Sequence, residues 1–213
     1  MCADSKSMLS SVERVNRRQQ IRLKACVPGR FSLADYRDGR GNRRRFACRA
    51  IELAETTITC TTAISGRLGD RVIAYFQEFG KFHGPIVQVA DEGFVMRIVA
   101  TDQQRSRWRR TLAWFEQSQL FNWPDRRRHK RVIPENPLST ITFPDGRVRV
   151  CFVIDMSSSG AAISTDVFPE VGSSVVVGKV AGTVVRRFDE GFAIQFCEEQ
   201  DPALLEQRVI WRS

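Results

Sequence analysis

Two arginines set four apart, Arg127 and Arg131, precede the stretch Asp155-Met156-Ser157-Ser158-Ser159-Gly160. Each of these residue types has a definite use toward one kind of ligand. An arginine fork binds phosphate bidentately, reads the O6/N7 edge of guanine and stacks on a base. An aspartate accepts from the guanine N1 and N2 donors, a serine hydroxyl donates to phosphate, and a glycine lets a backbone turn come close. Together they suit a guanine nucleotide with its phosphates. Alone, the run Arg-Arg-Arg-His-Lys-Arg at 126–131 equally describes a solvated linker. Its order with the downstream turn favours a site, in which Arg126 and Arg128 either add contacts or face water.

Other chemistries find less support. The histidines are His83 and His129, and no Gly-x-Ser-x-Gly elbow exists, so no nucleophile and base pair stands out and the chain reads as non-enzymatic. The six cysteines, at 2, 26, 48, 60, 151 and 197, form no Cys-x-x-Cys pair. They are expected as reduced core thiols, with no metal and no cofactor. Asp189-Glu190 and Glu198-Glu199 read as solvated turn charges. The net charge of +9 in 213 residues favours an anionic partner without choosing one. Residues 1–20 lack the apolar stretch of a signal peptide, and no segment approaches the ~18 apolar residues of a membrane span. A cytoplasmic protein without membrane insertion is expected.

The elements that must position these residues are short β runs divided by turn chemistry. In the first half they cover Arg45–Leu53, Thr57–Thr62, Asp70–Phe76, Lys81–Val89 and Gly93–Val99. In the second they cover Ser139–Phe143, Arg147–Ile154, Ala161–Thr165, Ser174–Val177, Lys179–Phe188 and Gly191–Cys197. Val148, Val150, Phe152 and Ile154 make one face of the Arg147–Ile154 run continuously apolar. Between the halves, Thr101–Leu120 has helical spacing in Trp108, Leu112 and Phe115 and contains neither Gly nor Pro. It predicts a connecting helix, whose Arg105, Arg107, Arg109 and Arg110 are either a solvated face or part of an anion surface. Met8, Leu9, Val12 and Val15 hint at a short N-terminal helix, and Asp201–Trp211 at a closing one.

The halves can be laid over one another. Phe46–Glu52 falls opposite Arg149–Asp155 and Gly69–Ile73 opposite Gly172–Val176, both at an offset of 103. Asp38-Gly39 meets Asp145-Gly146 at an offset of 107, and Asp91–Met96 answers Asp189–Ile194 at a shorter one. Opposite Asp155, Ser157 and Gly160 stand Glu52, Ala54 and Thr57, so the first copy keeps a carboxylate and loses the rest. Arg18 and Arg22 share the spacing of Arg127 and Arg131, but the 107 offset sets Gln20 and Lys24 there instead. The organisation expected is an extension over 1–20, a degenerate β domain over 21–100, a linker helix over 101–122 and an intact second domain over 123–213.

Arg127–Val132, Asp155–Ala162, Gly182–Arg186 and Gly191–Phe196 together resemble a PilZ domain, and through the repeat the resemblance extends to a degenerate copy. It implies an all-β fold of two small six-stranded PilZ-like β barrels joined by an α-helix. The ligand it implies is the bacterial second messenger cyclic di-GMP. Arg127 and Arg131 would contact phosphates and guanine, with Asp155, Ser157 and Gly160 on the barrel side. A receptor of this kind would change its domain arrangement on binding and signal to an unidentified protein partner in motility, envelope or polysaccharide control. Alternatives are a protein-interaction scaffold that binds no ligand, or a basic nucleic-acid-binding protein, although nucleic acid is not the partner expected.

Overall fold

The computed structural model describes residues 22–37, 41–77, 79–118 and 132–210. Strands β1 (Arg22–Leu33), β2 (Phe46–Ala54), β3 (Thr57–Thr61), β4 (Arg71–Phe76), β5 (Gly80–Ala90) and β6 (Gly93–Arg97) close into an antiparallel barrel in the order β1-β2-β3-β6-β5-β4. Helix α1 (Asp102–Ser118) follows. A second closed barrel comprises β7 (Leu138–Thr142), β8 (Val148–Ser157), β9 (Gly160–Ser164), β10 (Ser174–Val177), β11 (Val180–Phe188) and β12 (Gly191–Phe196). The short α2 (Leu205–Val209) packs Leu205 and Val209 into its core. Among the described residues no helix is long and apolar enough to cross a membrane. The N-terminal helix suggested by Met8–Val15 lies outside the described residues, as does Asp38-Gly39.

The second barrel repeats the strand order of the first. It also repeats the irregularities, which are harder to share by chance. A bulge interrupts the β2–β3 register between Ala50 and Glu52, and another interrupts β8–β9 between Val153 and Asp155. Gly69 (φ 88°) donates to the Ile86 carbonyl at 2.9 Å, and Gly172 (φ 92°) donates to Val184 at 2.8 Å. A Cβ on Gly93 would stand 1.9 Å from the Cys60 carbonyl oxygen, and one on Gly191 would stand 1.9 Å from that of Ile163. Glycine is therefore required at both turns by strand approach.

Two elements depart from the sequence reading. The twelve-residue β1 is a full barrel strand although Pro28-Gly29 reads as a turn. Pro28 stays in register with Arg49, just before the pairing of β1 with β4 begins at Gly29, and Gly29 makes room for the Phe76 ring, 2.4 Å from where a Cβ would sit. In β8, the barrel core takes Cys151, Val153 and Met156, so the apolar even-numbered face points outward. Phe152 is buried there against Ala47 of the first barrel and Leu138, with Ile154 packed alongside, while Val148 and Val150 stay exposed.

That outward face is half of a contact between the barrels. Ser164, itself buried, accepts from the Ala47 amide at 3.0 Å and donates to the Glu190 carbonyl at 2.6 Å. Arg30 pairs with Glu190 at 2.9 Å, Arg45 pairs with Asp189, and the Arg44 guanidinium lies 4.4 Å over the Phe168 ring. Asp189 and Glu190 are thus ion-pair partners across the interface, where the sequence reading has them as solvated turn charges. Turn residues chosen for solubility and turn residues chosen for a docked neighbour have the same composition.

Candidate functional site

The bulge at Val153/Asp155 sets the geometry of the turn. Met156 points into the core, 1% exposed, so its neighbours Asp155 and Ser157 lie on the outer face of β8. Ser157 pairs with Gly160 across the two-residue turn. Its hydroxyl stands 3.3 Å from that of Ser159 and donates to the Gly160 carbonyl at 3.4 Å. A Cβ on Gly160 would lie 2.3 Å from the Ile194 carbonyl oxygen. The glycine is therefore required for β9 to approach β12, whatever else it serves.

Arg126, Arg127, Arg128 and Arg131 lie outside the described residues. The chain is described again at Val132, which pairs with Met156 through two backbone bonds: the Val132 amide donates to Met156 at 2.7 Å and receives a bond from the Met156 amide at 3.0 Å. Farther on, the Val153 amide donates to Pro137 at 2.7 Å. Residues 132–137 thus run along the edge of β8 that β7 leaves open. The residue that follows Arg131 is fastened between Asp155 and Ser157.

Asp155 also lines a groove of about 420 Å³ between the barrels, shared with Arg30 and Tyr75 of the first and Arg186, Phe188 and Glu190 of the second. The sequence reading missed the contribution of Arg30 and Tyr75. Their place follows from how the barrels dock, which strand patterning does not encode. Ser157 and Gly160 sit at the hairpin turn beyond this groove.

The equivalent edge of the first barrel has a different fate. Leu23 lies opposite Leu53 as Val132 lies opposite Met156. This register sets Arg22, and not Lys24, next to the residue that answers Val132, because the 107 offset read at the β1–β2 turn does not hold along β1. Arg22 pairs with Glu52 at 3.6 Å. Ala54, in the place of Ser157, is buried, and its carbonyl accepts from the Trp108 indole at 3.0 Å. Arg109 of the same helix pairs with Glu55 at 2.7 Å. Helix α1 therefore caps this edge of the first barrel as well as connecting the halves, and Arg109 is committed to a structural pair.

Among the described residues no group of three or more His, Cys, Asp or Glu is placed to hold a metal ion. The cysteines divide by exposure: Cys48, Cys60 and Cys151 are buried, whereas Cys26 and Cys197 are exposed, contrary to the expectation of core thiols. Burial pushes the Cys151 thiol up to about 12, and burial together with its bond to Cys60 raises Cys48 as well.

The model of the PilZ domain family matches residues 125–211. No curated protein matches the chain. Among solved structures, the Bacillus subtilis inhibitor of motility MotI/DgrA is 9% identical over 88% of this chain and 94% of its own, with a TM-score of 0.29. PlzA of Borreliella burgdorferi, in complex with c-di-GMP, is 11% identical over 91% of this chain and 93% of its own, with a TM-score of 0.27. YcgR of Escherichia coli, also in complex with c-di-GMP, is 11% identical over 87% and 81%, with a TM-score of 0.24.

Proposed function

We propose that the chain, whose residues 125–211 match the PilZ domain model, is a non-enzymatic bacterial receptor for cyclic di-GMP. Arg127 and Arg131 supply the guanidinium forks, and Asp155, Ser157 and Gly160 the barrel side. Arg126 and Arg128 are secondary contacts. The observation that carries this reading is the Val132–Met156 pairing, since it fastens the chain next to Arg131 beside Asp155 and Ser157. In this scheme residues 1–20 are an extension, 21–100 a degenerate PilZ-like domain, 101–122 the helical connection and 123–213 the ligand-binding domain.

Asp155 borders the groove between the barrels, so a ligand held there bears on Arg30, Tyr75 and Glu190 at the same time. We read this as the route by which binding alters the relation of the barrels and the surface offered to a protein partner in motility, envelope or polysaccharide control. Each charge-assisted contact contributes roughly 1.5–3 kcal/mol, so Arg131→Ala or Asp155→Ala should each weaken binding about 10- to 100-fold. Titration calorimetry with cyclic di-GMP tests this. Unchanged affinity in both variants would remove the assigned site.

A further inference from the structure

A second cleft, of about 1110 Å³, opens on the first barrel next to the inter-barrel groove, and the two adjoin at Arg30 and Tyr75. Among the described residues its lining carries six cations, Arg30, Arg37, Arg43, Arg44, Arg45 and Lys81, and one carboxylate, Asp189. Three of the six are held by the second barrel: Arg30 by Glu190, Arg45 by Asp189 and Arg44 by the Asp166 carbonyl. Arg37, Arg43 and Lys81 pair with no carboxylate among the described residues. Like charges gathered in a concave surface repel one another, and their cost is relieved by a polyanion.

The cleft also presents rings. Tyr36 is 37% exposed and Tyr75 is 42% exposed. The Arg30 guanidinium stands 5.0 Å over the Tyr75 ring. Arg44 stands 5.9 Å over the Tyr36 ring in the same way, so each ring already carries a guanidinium on one side. A basic groove lined with partly exposed rings is the combination that tracks a phosphate backbone while unpaired bases stack.

We propose that this cleft binds single-stranded nucleic acid, with Arg37, Arg43 and Lys81 on phosphates and Tyr36 and Tyr75 under bases. Asp155 is not in its lining, although the cleft shares Arg30 and Tyr75 with the groove that Asp155 borders, and the proposal does not depend on how Arg131 and Asp155 are read. The test is fluorescence anisotropy of a labelled fifteen-nucleotide strand on the full chain, without cyclic dinucleotide. Arg43→Glu/Lys81→Glu should weaken binding at least ~10-fold and flatten the salt dependence, each lost phosphate contact taking about 0.7 from the log–log slope. The charge-matched pair Arg147→Glu/Arg149→Glu, on the exposed start of β8, should change affinity by less than about 3-fold, and Arg131→Ala should do the same.

Tyr36→Ala should cost roughly 5- to 100-fold, whereas Tyr36→Phe, which keeps the ring, should bind like the parent. Tyr36, Arg43, Lys81, Arg147 and Arg149 are exposed, and thermal melting of each variant checks that it is folded. Absence of strand binding, equal losses from the two charge-reversal pairs, loss with Arg131→Ala alone, or equal binding of a mononucleotide would each overturn the proposal.

Discussion

Cys151 fills the second barrel's core as a small hydrophobe, and its thiol is held neutral by burial up to about 12. The unfolded chain ionises the same group near 8.5. A folded value above the unfolded one gives a contribution that is fully present below the unfolded value and lost as pH rises through the folded one. The thermal midpoint should accordingly fall between about pH 8.5 and 12, and Cys151→Val should show a smaller fall than the parent over that window. Scanning calorimetry at several pH values reads the difference, and parallel curves for the two proteins would refute it. Thiol labelling located by mass spectrometry should modify Cys26 and Cys197 in the native state and leave Cys48, Cys60 and Cys151 protected until unfolding. At the candidate site, Gly160→Ala forces a methyl toward the Ile194 carbonyl and should destabilise the second barrel by about 1–3 kcal/mol even without ligand. A binding defect in that variant therefore needs its stability measured alongside it.

Among the elements, α1 carries the clearest prediction. Trp108 stacks edge-on with Phe82 and Phe79, at 4.8 and 5.3 Å between ring centroids, and its indole closes on Ala54. Trp108→Ala should cost about 3–5 kcal/mol of first-barrel stability, measured by chemical denaturation. Because the buried Ala54, whose carbonyl is taken by the Trp108 indole, stands where the second barrel has Ser157, the intact chain should bind one cyclic di-GMP, read as the stoichiometry of the calorimetric titration. The helix itself was legible from Trp108, Leu112 and Phe115, and eleven of the strands from turn chemistry and alternation. β1 was not, because Pro28-Gly29 interrupts its pattern with two turn-forming residues and its pairing with β2 and β4 makes it a strand. The outward face of β8 was also hidden. Alternation shows which residues share a face but not which side is the core when a second barrel covers the outside. Asp155 and Ser157 could be picked out by residue type and order, whereas Arg30 and Tyr75 depend on docking alone.

Across the whole molecule, the buried Arg49 joins these levels. It is a first-barrel residue, 3% exposed, whose burial lowers its basicity. It donates to the carbonyls of Pro134 at 2.7 Å and Glu135 at 3.1 Å, in the segment that runs back to Val132 and so to Arg131. A buried guanidinium satisfied by carbonyls is costly to disturb on either side. It therefore links the position of the first barrel to the segment that pairs with the edge of β8 through Val132 and Met156. Arg49→Met keeps much of the side-chain volume and removes the two bonds, and it should lower stability by about 1–3 kcal/mol. Hydrogen exchange should speed up at the Val132 and Met156 amides, and cyclic di-GMP affinity should fall although Arg49 lies outside the proposed ligand set. The parent should unfold in one calorimetric transition and the variant in two, since the contact through Ser164, Glu190 and Asp189 would no longer suffice to couple the barrels. Unaltered exchange at Val132 together with a single transition would show that the first barrel does not hold the ligand edge in place.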